Sequence, residues 1–269
     1  MPPSPLRVLL TGASSGIGHA LAVELLRRHA HVLLLARRRE PLDALAAIWN
    51  PPDAAPHAVV VSGDITDPDV RQRALQTAVQ TFGGLDVLVC NAGIGAHGPF
   101  QTSEETVLRR LFEVDFFAPV SLLKESISLL QRSRSPSVVF VDSILGYWGI
   151  PHMSGYCAAK FALRGFSESV RGELQDLGIH LLSVTPGSTT TPFHDNAIER
   201  HSPPVTGGKL ATSPEYVANQ IVLALQRRRR HLTPGIAAQC SLLLARLFPQ
   251  TFRRIAAHVV RKRTRNHSE

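Results

Sequence analysis

Short apolar segments alternate with longer helical ones along most of the chain, and this alternation limits the fold more than any other feature. Each apolar segment is a continuous run, as expected for parallel strands that are covered on both faces. The six segments are LRVLLTG, HVLLLA, HAVVVSGD, LDVLVCNAG, SVVFVDS and IHLLSVTPG. Strands separated by helices predict a doubly wound α/β fold with helices on both faces of a mostly parallel sheet.

The length and the cysteines set broad limits on the class of protein. The 269 residues, 44% of them hydrophobic, are enough for one large domain. The cysteines, Cys90, Cys157 and Cys240, are widely separated, which argues against a disulfide framework or a zinc site. No apolar run approaches the roughly 20 residues of a membrane span, and the N-terminus lacks the regions of a signal peptide. We therefore expect a cytoplasmic protein, and with no HExxH motif among the histidines we predict no metal ion.

The net charge of +8 is concentrated at the C-terminal end. Residues 227–269 hold 11 of the 29 lysines and arginines and a single acid, Glu269, so the rest of the chain is close to neutral. A high isoelectric point can indicate nucleic acid binding. Here the high isoelectric point comes only from the basic residues of the tail. The arginine cluster in the tail has no interleaved aromatic residues, so we predict no nucleic acid partner. We divide the chain into a main domain, residues 1–235, and a basic helical extension, residues 236–269.

A glycine-rich stretch, TGASSGIG, joins the first predicted strand to the first predicted helix. Glycine permits a tight turn and a close approach of backbone to a ligand, and the free N–H groups at the start of a helix attract phosphate. An ordinary glycine-rich turn is the alternative, but the position at the first strand–helix junction favours dinucleotide binding. The residues that we expect around the phosphates are Gly12, Ser14, Ser15, Gly16, Ile17 and Gly18.

The second predicted strand ends in LLLARRRE, without the acid that commonly bonds the ribose 2′-hydroxyl of NAD. A guanidinium can instead bind a 2′-phosphate through paired hydrogen bonds, so we predict NADP(H) in preference to NAD(H). Arg37, nearest the strand end, is the first choice for this contact, and Arg38 is the second. The alternative is that these arginines only begin the next helix in solvent.

Asp64, in SGDIT, closes the third predicted strand. Its carboxylate could accept a hydrogen bond from the adenine amino group of a bound dinucleotide. The alternative interpretation is a helix cap for the segment that begins near Asp67.

The segment YCAAK places Tyr156 and Lys160 four residues apart, and therefore on one face of a predicted helix. A nearby ammonium lowers the pKa of a phenol, so that the phenol can exchange a proton with a carbonyl or an alcohol. Ser143 follows the strand SVVFVDS, at the strand end where open α/β sheets bind ligands. A surface pair is the alternative for Tyr156 and Lys160 alone, but the glycine loop and Ser143 argue against it.

Together these segments resemble the short-chain dehydrogenase/reductase family over roughly residues 5–235. The resemblance implies a Rossmann-type, three-layer fold with a seven-stranded sheet, and reversible hydride transfer between a nicotinamide and a carbonyl or alcohol. It implies that Tyr156 is the acid/base, that Lys160 lowers its pKa and holds the nicotinamide ribose, and that Ser143 polarises the substrate oxygen. The further cofactor contacts that it implies are Asn91 and Gly93 in NAG and Pro186, Gly187, Thr189 and Thr191 in PGSTTT.

The resemblance also implies a homodimer or homotetramer, assembled through the helices that carry Asp115 and Tyr156. Asp115 departs from the family, which usually has asparagine there, holding a water in a proton relay behind the lysine. Aspartate has nearly the same shape but only accepts hydrogen bonds when ionised. We expect Asp115 to serve in the relay, with the alternative that its charge blunts the effect of Lys160 on Tyr156.

Two apolar stripes follow the last predicted strand. One contains Cys240, Leu243, Leu244, Leu247 and Phe248, and the other contains Phe252, Ile255, Ala256, Val259 and Val260. Such helices either pack on the domain or on a neighbouring subunit, or rest on an anionic membrane surface. A second long segment, the Pro/Gly/Thr-rich stretch from Pro186 to Pro214, has the length of a functional lid.

These observations lead to one main hypothesis and two alternatives. The main hypothesis is an NADP(H)-dependent oxidoreductase that acts on a small-molecule carbonyl compound or alcohol. An apolar substrate, such as a lipid, a steroid-like molecule or an aromatic carbonyl, is favoured by the tail and by the lid near Phe193. The first alternative is an NADP(H)-binding sensor or scaffold with little turnover, which Asp115 favours. The second is a membrane-surface binding protein, whose function would survive Tyr156→Phe and be lost on removal of residues 236–269.

Overall fold

The structure is a computed structural model that describes residues 5–52, 55–201 and 210–265, with side chains up to residue 261. Seven parallel strands form one sheet in the order β3-β2-β1-β4-β6-β7-β9. These strands are β1 Arg7–Thr11, β2 His31–Ala36, β3 Ala58–Ser62, β4 Val87–Cys90, β6 Ser137–Val141, β7 His180–Val184 and β9 His231–Leu232. Two short strands, β5 Ala96–His97 and β8 Glu199–Arg200, pair separately.

Both faces of the sheet are buried, because alternate residues of each strand enter different apolar cores. In β1, Leu9 belongs to one core while Val8 and Leu10 belong to the other. Side chains of a strand point alternately to opposite faces, so a doubly covered strand must be apolar at every position. This requirement explains the continuous apolar runs, and the predicted doubly wound fold is confirmed.

Nine α-helices of the described residues complete the fold, and the first seven lie in the two outer layers. Helices α1, α2 and α7 contribute to the core that contains Val8, and helices α3 to α6 contribute to the core that contains Leu9. The helices are α1 Gly16–Arg27, α2 Glu40–Trp49, α3 Pro68–Phe82, α4 Glu105–Phe112, α5 Ala118–Leu130, α6 Ser154–Asp176, α7 Pro214–Gln226, α8 Ile236–Leu247 and α9 Pro249–Arg265. A π-helical turn, Glu113–Phe117, joins α4 to α5.

The six strands predicted from apolar runs all occur, and the seventh, β9, is one that no apolar run indicates. It has only two residues, and two backbone hydrogen bonds hold it beside β7. The Ser183 N–H donates to the Arg230 carbonyl at 3.0 Å, and the Thr185 N–H donates to the Leu232 carbonyl at 2.8 Å. A strand this short has no sequence period. Its existence depends on the neighbouring strand edge rather than on its own residues.

The C-terminal helices α8 and α9 pack against the core through one of their faces. The clearest contact is between the rings of Trp148 and Phe252, 4.7 Å apart and nearly perpendicular. No helix in the described part of the chain is long and apolar enough to cross a membrane. Two parts of the chain that the sequence analysis discussed lie outside the described residues. They are residues 266–269, at the end of the predicted extension, and residues 1–4, at the N-terminus.

Candidate active site

A cavity of about 360 Å³ opens at the carboxyl ends of the central strands. This is the end at which open α/β sheets bind ligands, beside the point where the strand order reverses between β1 and β4. Every predicted cofactor and catalytic residue lines the cavity except Asp115. The lining residues predicted from sequence are Gly12, Ser14, Ser15, Gly16, Ile17, Gly18, Arg37, Arg38, Asp64, Asn91, Gly93, Ser143, Tyr156, Lys160, Pro186, Gly187, Thr189 and Thr191.

The glycine loop passes so close to neighbouring backbone that side chains are excluded. Gly12 has a φ of +70°, and a Cβ on it would lie 2.8 Å from Ala92 Cα. A Cβ on Gly18 would lie 2.2 Å from the carbonyl oxygen of Gly12. These two glycines therefore let the loop turn tightly into α1.

Thr11 and Asn91 hold this loop from behind. The Thr11 hydroxyl accepts hydrogen bonds from the backbone N–H groups of Asn91 (2.9 Å) and Ala92 (3.0 Å). The Asn91 amide donates to the carbonyl of Thr11 at 3.0 Å. Asn91, which we expect to contact the cofactor, lines the cavity, and its side-chain N–H also positions the glycine loop.

The loop and the start of α1 are suited to an anion. Among the described residues no side chain caps this helix, and its first turn contains no acid. Its N–H groups and the positive end of its dipole therefore face the cavity unopposed, which favours a phosphate group. A dinucleotide phosphate fits both the geometry and the charge of this cradle.

The three arginines after β2 divide into two groups. Arg37 and Arg38 line the cavity, and the Arg38 guanidinium donates to the Ser14 hydroxyl of the glycine loop at 3.3 Å. Arg39 pairs with Asp43 of α2 at 3.0 Å, on the exposed surface. The alternative, that these arginines only begin the next helix in solvent, therefore describes Arg39.

Asp64 is already engaged by protein groups at the cavity wall. One carboxylate oxygen accepts from the backbone N–H (3.0 Å) and the hydroxyl (2.8 Å) of Thr66, and the other pairs with Arg110. Burial opposes ionisation, but these partners outweigh it and lower the pKa of Asp64. The alternative of a helix cap is wrong, because the side chain of Asp67 itself caps α3. Arg110, which also lines the cavity, was not found by sequence reasoning, since it lies 46 residues away.

Tyr156 and Lys160 lie on the buried face of α6, which excludes the surface-pair alternative. The Lys160 Nζ is 5.7 Å from the centre of the Tyr156 ring, and Ser143 is within hydrogen-bonding reach of the phenol. The Ser143 hydroxyl also accepts from the backbone N–H of Leu145 at 3.1 Å, which fixes its position after β6. A serine, a tyrosine and a lysine thus converge on one wall of the cavity.

Two buried carboxyl groups, Asp115 and Asp142, accompany the Lys160 ammonium. Asp115 lies in the π-helical turn and accepts from the backbone N–H of Ile94 at 2.8 Å. Burial raises the pKa of Asp115 to about 6 and that of Asp142 to about 7, although Lys160 opposes both shifts. Burial disfavours the charge of Lys160, but Asp115, Tyr156 and Asp142 outweigh it and raise its pKa. Asp142 was missed because nothing in its sequence position signals burial beside a charge.

The pKa of Tyr156 departs from the sequence-based expectation. Lys160 does act to lower this pKa, as predicted. Burial outweighs that effect and, with the negative charges of Asp115 and Asp142, raises the pKa to about 12. The expectation that Lys160 gives Tyr156 a lowered pKa is therefore not met, and Tyr156 is protonated at neutral pH.

The loop after β7 also lines the cavity. Two backbone hydrogen bonds, both 2.9 Å long, hold this loop to Thr212. The Thr190 N–H donates to the Thr212 carbonyl, and the Thr212 N–H donates to the Ser188 carbonyl. Beyond it, the ring of Phe193 lies 5.5 Å from that of Tyr156. Within the predicted lid, residues 202–209 lie outside the described residues. No cluster of metal-ligating side chains occurs in the described ranges.

Known proteins match this chain along most of its length. The profile of the short chain dehydrogenase family matches residues 7–202. Hydroxysteroid 11-beta-dehydrogenase 1-like protein B of Xenopus laevis is 35% identical, over 81% of this chain and 74% of that protein. A short-chain dehydrogenase from Sphingobium yanoikuyae, solved in complex with NADPH, is 25% identical with a TM-score of 0.75, covering 92% of this chain and 95% of that one. A short chain dehydrogenase/reductase from Burkholderia phymatum, solved in complex with NAD, is 21% identical with a TM-score of 0.81, covering 94% and 97%.

Gly18→Ala tests the steric requirement of the glycine loop. The added methyl would meet the Gly12 carbonyl oxygen, which belongs to rigid backbone, so the loop must move. We expect the dissociation constant for NADPH, measured by fluorescence titration, to rise at least about tenfold. Gly172→Ala is the matched control, because a Cβ there meets nothing within 4 Å. Equal NADPH affinity in the Gly18→Ala and control variants, both folded by circular dichroism, would contradict the steric argument.

Proposed function

The chain belongs to the short-chain dehydrogenase family, and we propose that it is an NADP(H)-dependent oxidoreductase that interconverts a carbonyl and an alcohol on an apolar substrate. One observation carries this proposal. The group formed by Ser143 and the buried side chains of Tyr156 and Lys160 lines the same cavity as the glycine loop, so a dinucleotide and a substrate can meet there.

The proposed roles follow from the protonation states of the group. When bound, the nicotinamide supplies a hydride to the substrate carbon or accepts one from it. In reduction, the Tyr156 phenol, protonated because of its raised pKa, gives its proton to the carbonyl oxygen. The charge of Lys160 stabilises the phenolate that remains, and the Ser143 hydroxyl holds the oxygen. In oxidation, the same phenolate takes the proton from the alcohol.

The preference for NADP(H) is supported by the charges at the adenosine end of the cavity. Arg37 and Arg38 line it, while Asp64 is held by Thr66 and Arg110 rather than left free to repel a phosphate. A 2′-phosphate would meet two guanidinium groups there. The likeness to a dehydrogenase solved with NADPH adds support, although another structural neighbour was solved with NAD.

The preference for an apolar substrate is supported by the walls near Tyr156. They include Leu145, Met153 and Phe193, and a substrate that buries apolar surface against them gains free energy. One relative carries the name of a hydroxysteroid dehydrogenase-like protein. We expect turnover to rise with the apolar size of the carbonyl compound.

A second candidate function, a sensor or scaffold that binds NADP(H) with little turnover, is favoured by the acids around Lys160. If Asp115 and Asp142 neutralise the ammonium, it stabilises the phenolate less. Tight NADPH binding by the wild type, without turnover of any carbonyl or alcohol, would favour this function.

We also propose that the protein forms a homodimer or homotetramer in a reducing cytoplasm. Its catalytic domain would comprise residues 1–235, and membrane contact would be made by residues 236–269. Exposed apolar side chains on the helices expected at the subunit interface, Leu108, Phe117 and Phe161, support the assembly. The free cysteines support the reducing compartment.

Tyr156→Phe tests the proposed acid/base directly. Removing the hydroxyl takes away the proton donor and leaves the ring, so NADPH-dependent reduction of carbonyl compounds should fall about 100-fold or more. NADPH binding should change little. Tyr216→Phe, at an exposed tyrosine outside the cavity, is the matched control. Reduction at the wild-type rate by Tyr156→Phe would refute the role of the phenol.

The arginines after β2 provide a test of cofactor preference. Arg37→Ala and Arg38→Ala each remove a charge that faces the cavity, so kcat/KM for NADPH should fall about 10-fold or more, with Arg37→Ala the more severe. Activity with NADH should stay nearly constant in both. Arg39→Ala is the control, since Arg39 pairs with Asp43 outside the cavity. Parallel losses with NADPH and NADH would mean that the arginines do not select the 2′-phosphate.

Asp115→Asn tests the electrostatic role of the buried acid. With a pKa of about 6, Asp115 is ionised above neutral pH, where its charge opposes the Tyr156 phenolate. Asparagine keeps the acceptor for Ile94 and removes the charge, so the pKa of Tyr156 should fall. The rise of kcat/KM with pH in alcohol oxidation should therefore move to lower pH by about one unit. Asp43→Asn is the control, and a shift to higher pH would mean that Asp115 acts mainly by sustaining the charge of Lys160.

A further inference from the structure

The two C-terminal helices expose apolar side chains that do not belong to either core. The exposed fractions are 57% for Leu243, 60% for Leu247, 58% for Phe248 and 59% for Ile255. Soluble proteins rarely leave such residues together on the surface unless they meet a partner. We call the exposed side chains of Leu243, Leu244, Leu247, Phe248, Ile255 and Val259, with Arg246, Arg253 and Arg254, the α8–α9 surface.

A different face of the same helices anchors them to the protein. The anchoring side chains are Ala238, Leu242, Ala245, Phe252, Ala256 and Val260, which pack on the main core or are buried. Packing on the domain, one of the two sequence-based alternatives, thus accounts for this face only. The first predicted stripe, from Cys240 to Phe248, lies mainly outward, so its apolar surface requires another explanation.

The charge around the α8–α9 surface narrows the choice of partner. Arg246, Arg253 and Arg254 are exposed on these helices, and the sequence from residue 227 to residue 268 contains no acid. In a two-fold dimer the same patch would meet itself, so two basic surfaces would be brought together. An anionic lipid surface would instead bind the arginines and receive the leucines and Phe248.

We propose that the α8–α9 surface docks the protein on anionic lipid, with the apolar side chains in the headgroup–acyl boundary and the arginines against the lipid charges. The helices would lie on the bilayer and not cross it. Docking also has a consequence for the cavity. A Cβ on Gly187, in the cavity wall, would lie 2.9 Å from Ala238 Cβ, so the first turns of α8 touch that wall.

A docked protein would therefore hold its cavity beside the lipid in which apolar carbonyl compounds dissolve. This route of substrate supply rests on the proposed function, whereas docking itself does not. The two can be tested apart, because vesicle binding is measured without turnover.

The experiment is co-sedimentation of the full chain with vesicles of phosphatidylcholine alone or of phosphatidylcholine with phosphatidylserine. We expect binding to the vesicles that contain phosphatidylserine, weakening as salt is added. The triple variant Leu243→Gln, Leu247→Gln and Phe248→Gln should lose at least about tenfold in vesicle affinity. Arg253→Gln with Arg254→Gln should lose several-fold, and only on the anionic vesicles.

Two controls separate docking from damage to the fold. Ile48→Gln removes another strongly exposed apolar side chain, 75% exposed on α2, and should leave vesicle binding unchanged. Circular dichroism and NADPH binding should be retained in every variant. The proposal is overturned if the wild type binds neither vesicle, or if the triple variant binds as the wild type does. It is also overturned if the triple substitution converts an oligomer to monomers by light scattering while lipid binding is absent, because a second copy then covers the surface.

Discussion

The buried ammonium of Lys160 is the charge on which the chemistry of this site depends. An unpaired ammonium in a protein interior is very unfavourable, and it persists only where opposite charges or hydrogen bonds compensate. Here Asp115 and Asp142 supply the negative charge. Burial, and to a smaller degree the same two carboxylates, raise the pKa of Tyr156, so the acids that keep the lysine charged also add to the protonation of the tyrosine. This balance favours the proton-donating role that we propose for Tyr156, and the proposed oxidation of an alcohol requires the balance to shift toward the phenolate.

The resemblance to the family leads us to expect asparagine at position 115, and the aspartate found there is consistent with this balance of charges. It keeps the hydrogen bond from Ile94 that an asparagine carbonyl would also accept, and so it preserves the local geometry. The aspartate differs from an asparagine in its charge. Because a second buried acid, Asp142, lies near the same lysine, two carboxyl groups now act on the charge of Lys160. Interacting acids of this kind titrate together, so their apparent pKa values belong to the group rather than to either residue.

Much of the fold and of the site could be predicted because their signals are local. Each buried strand must be apolar on both faces, the glycine loop needs small residues within eight positions, and Tyr156 and Lys160 are one helical turn apart. The remainder depends on contacts between distant segments. The pairing of Asp64 with Arg110, the burial of Asp142 and the edge strand β9 have no local period, and the pKa of Tyr156 results from burial that the tertiary structure creates.

The C-terminal helices are a further case in which the sequence pattern alone did not determine the packing. The spacing of apolar residues predicted two amphipathic helices. It could not predict which face of each helix is buried, because apolar residues occupy more than one face. Ala238 decides this for the first turns of α8, because its small side chain lets the helix approach Gly187 closely. That approach turns Leu243 and Leu247 outward, since residues seven and eleven positions from Ile236 share its exposed side. The contact of α8 with Gly187, a residue that lines the cavity, is thus also the contact that leaves Leu243 and Leu247 exposed.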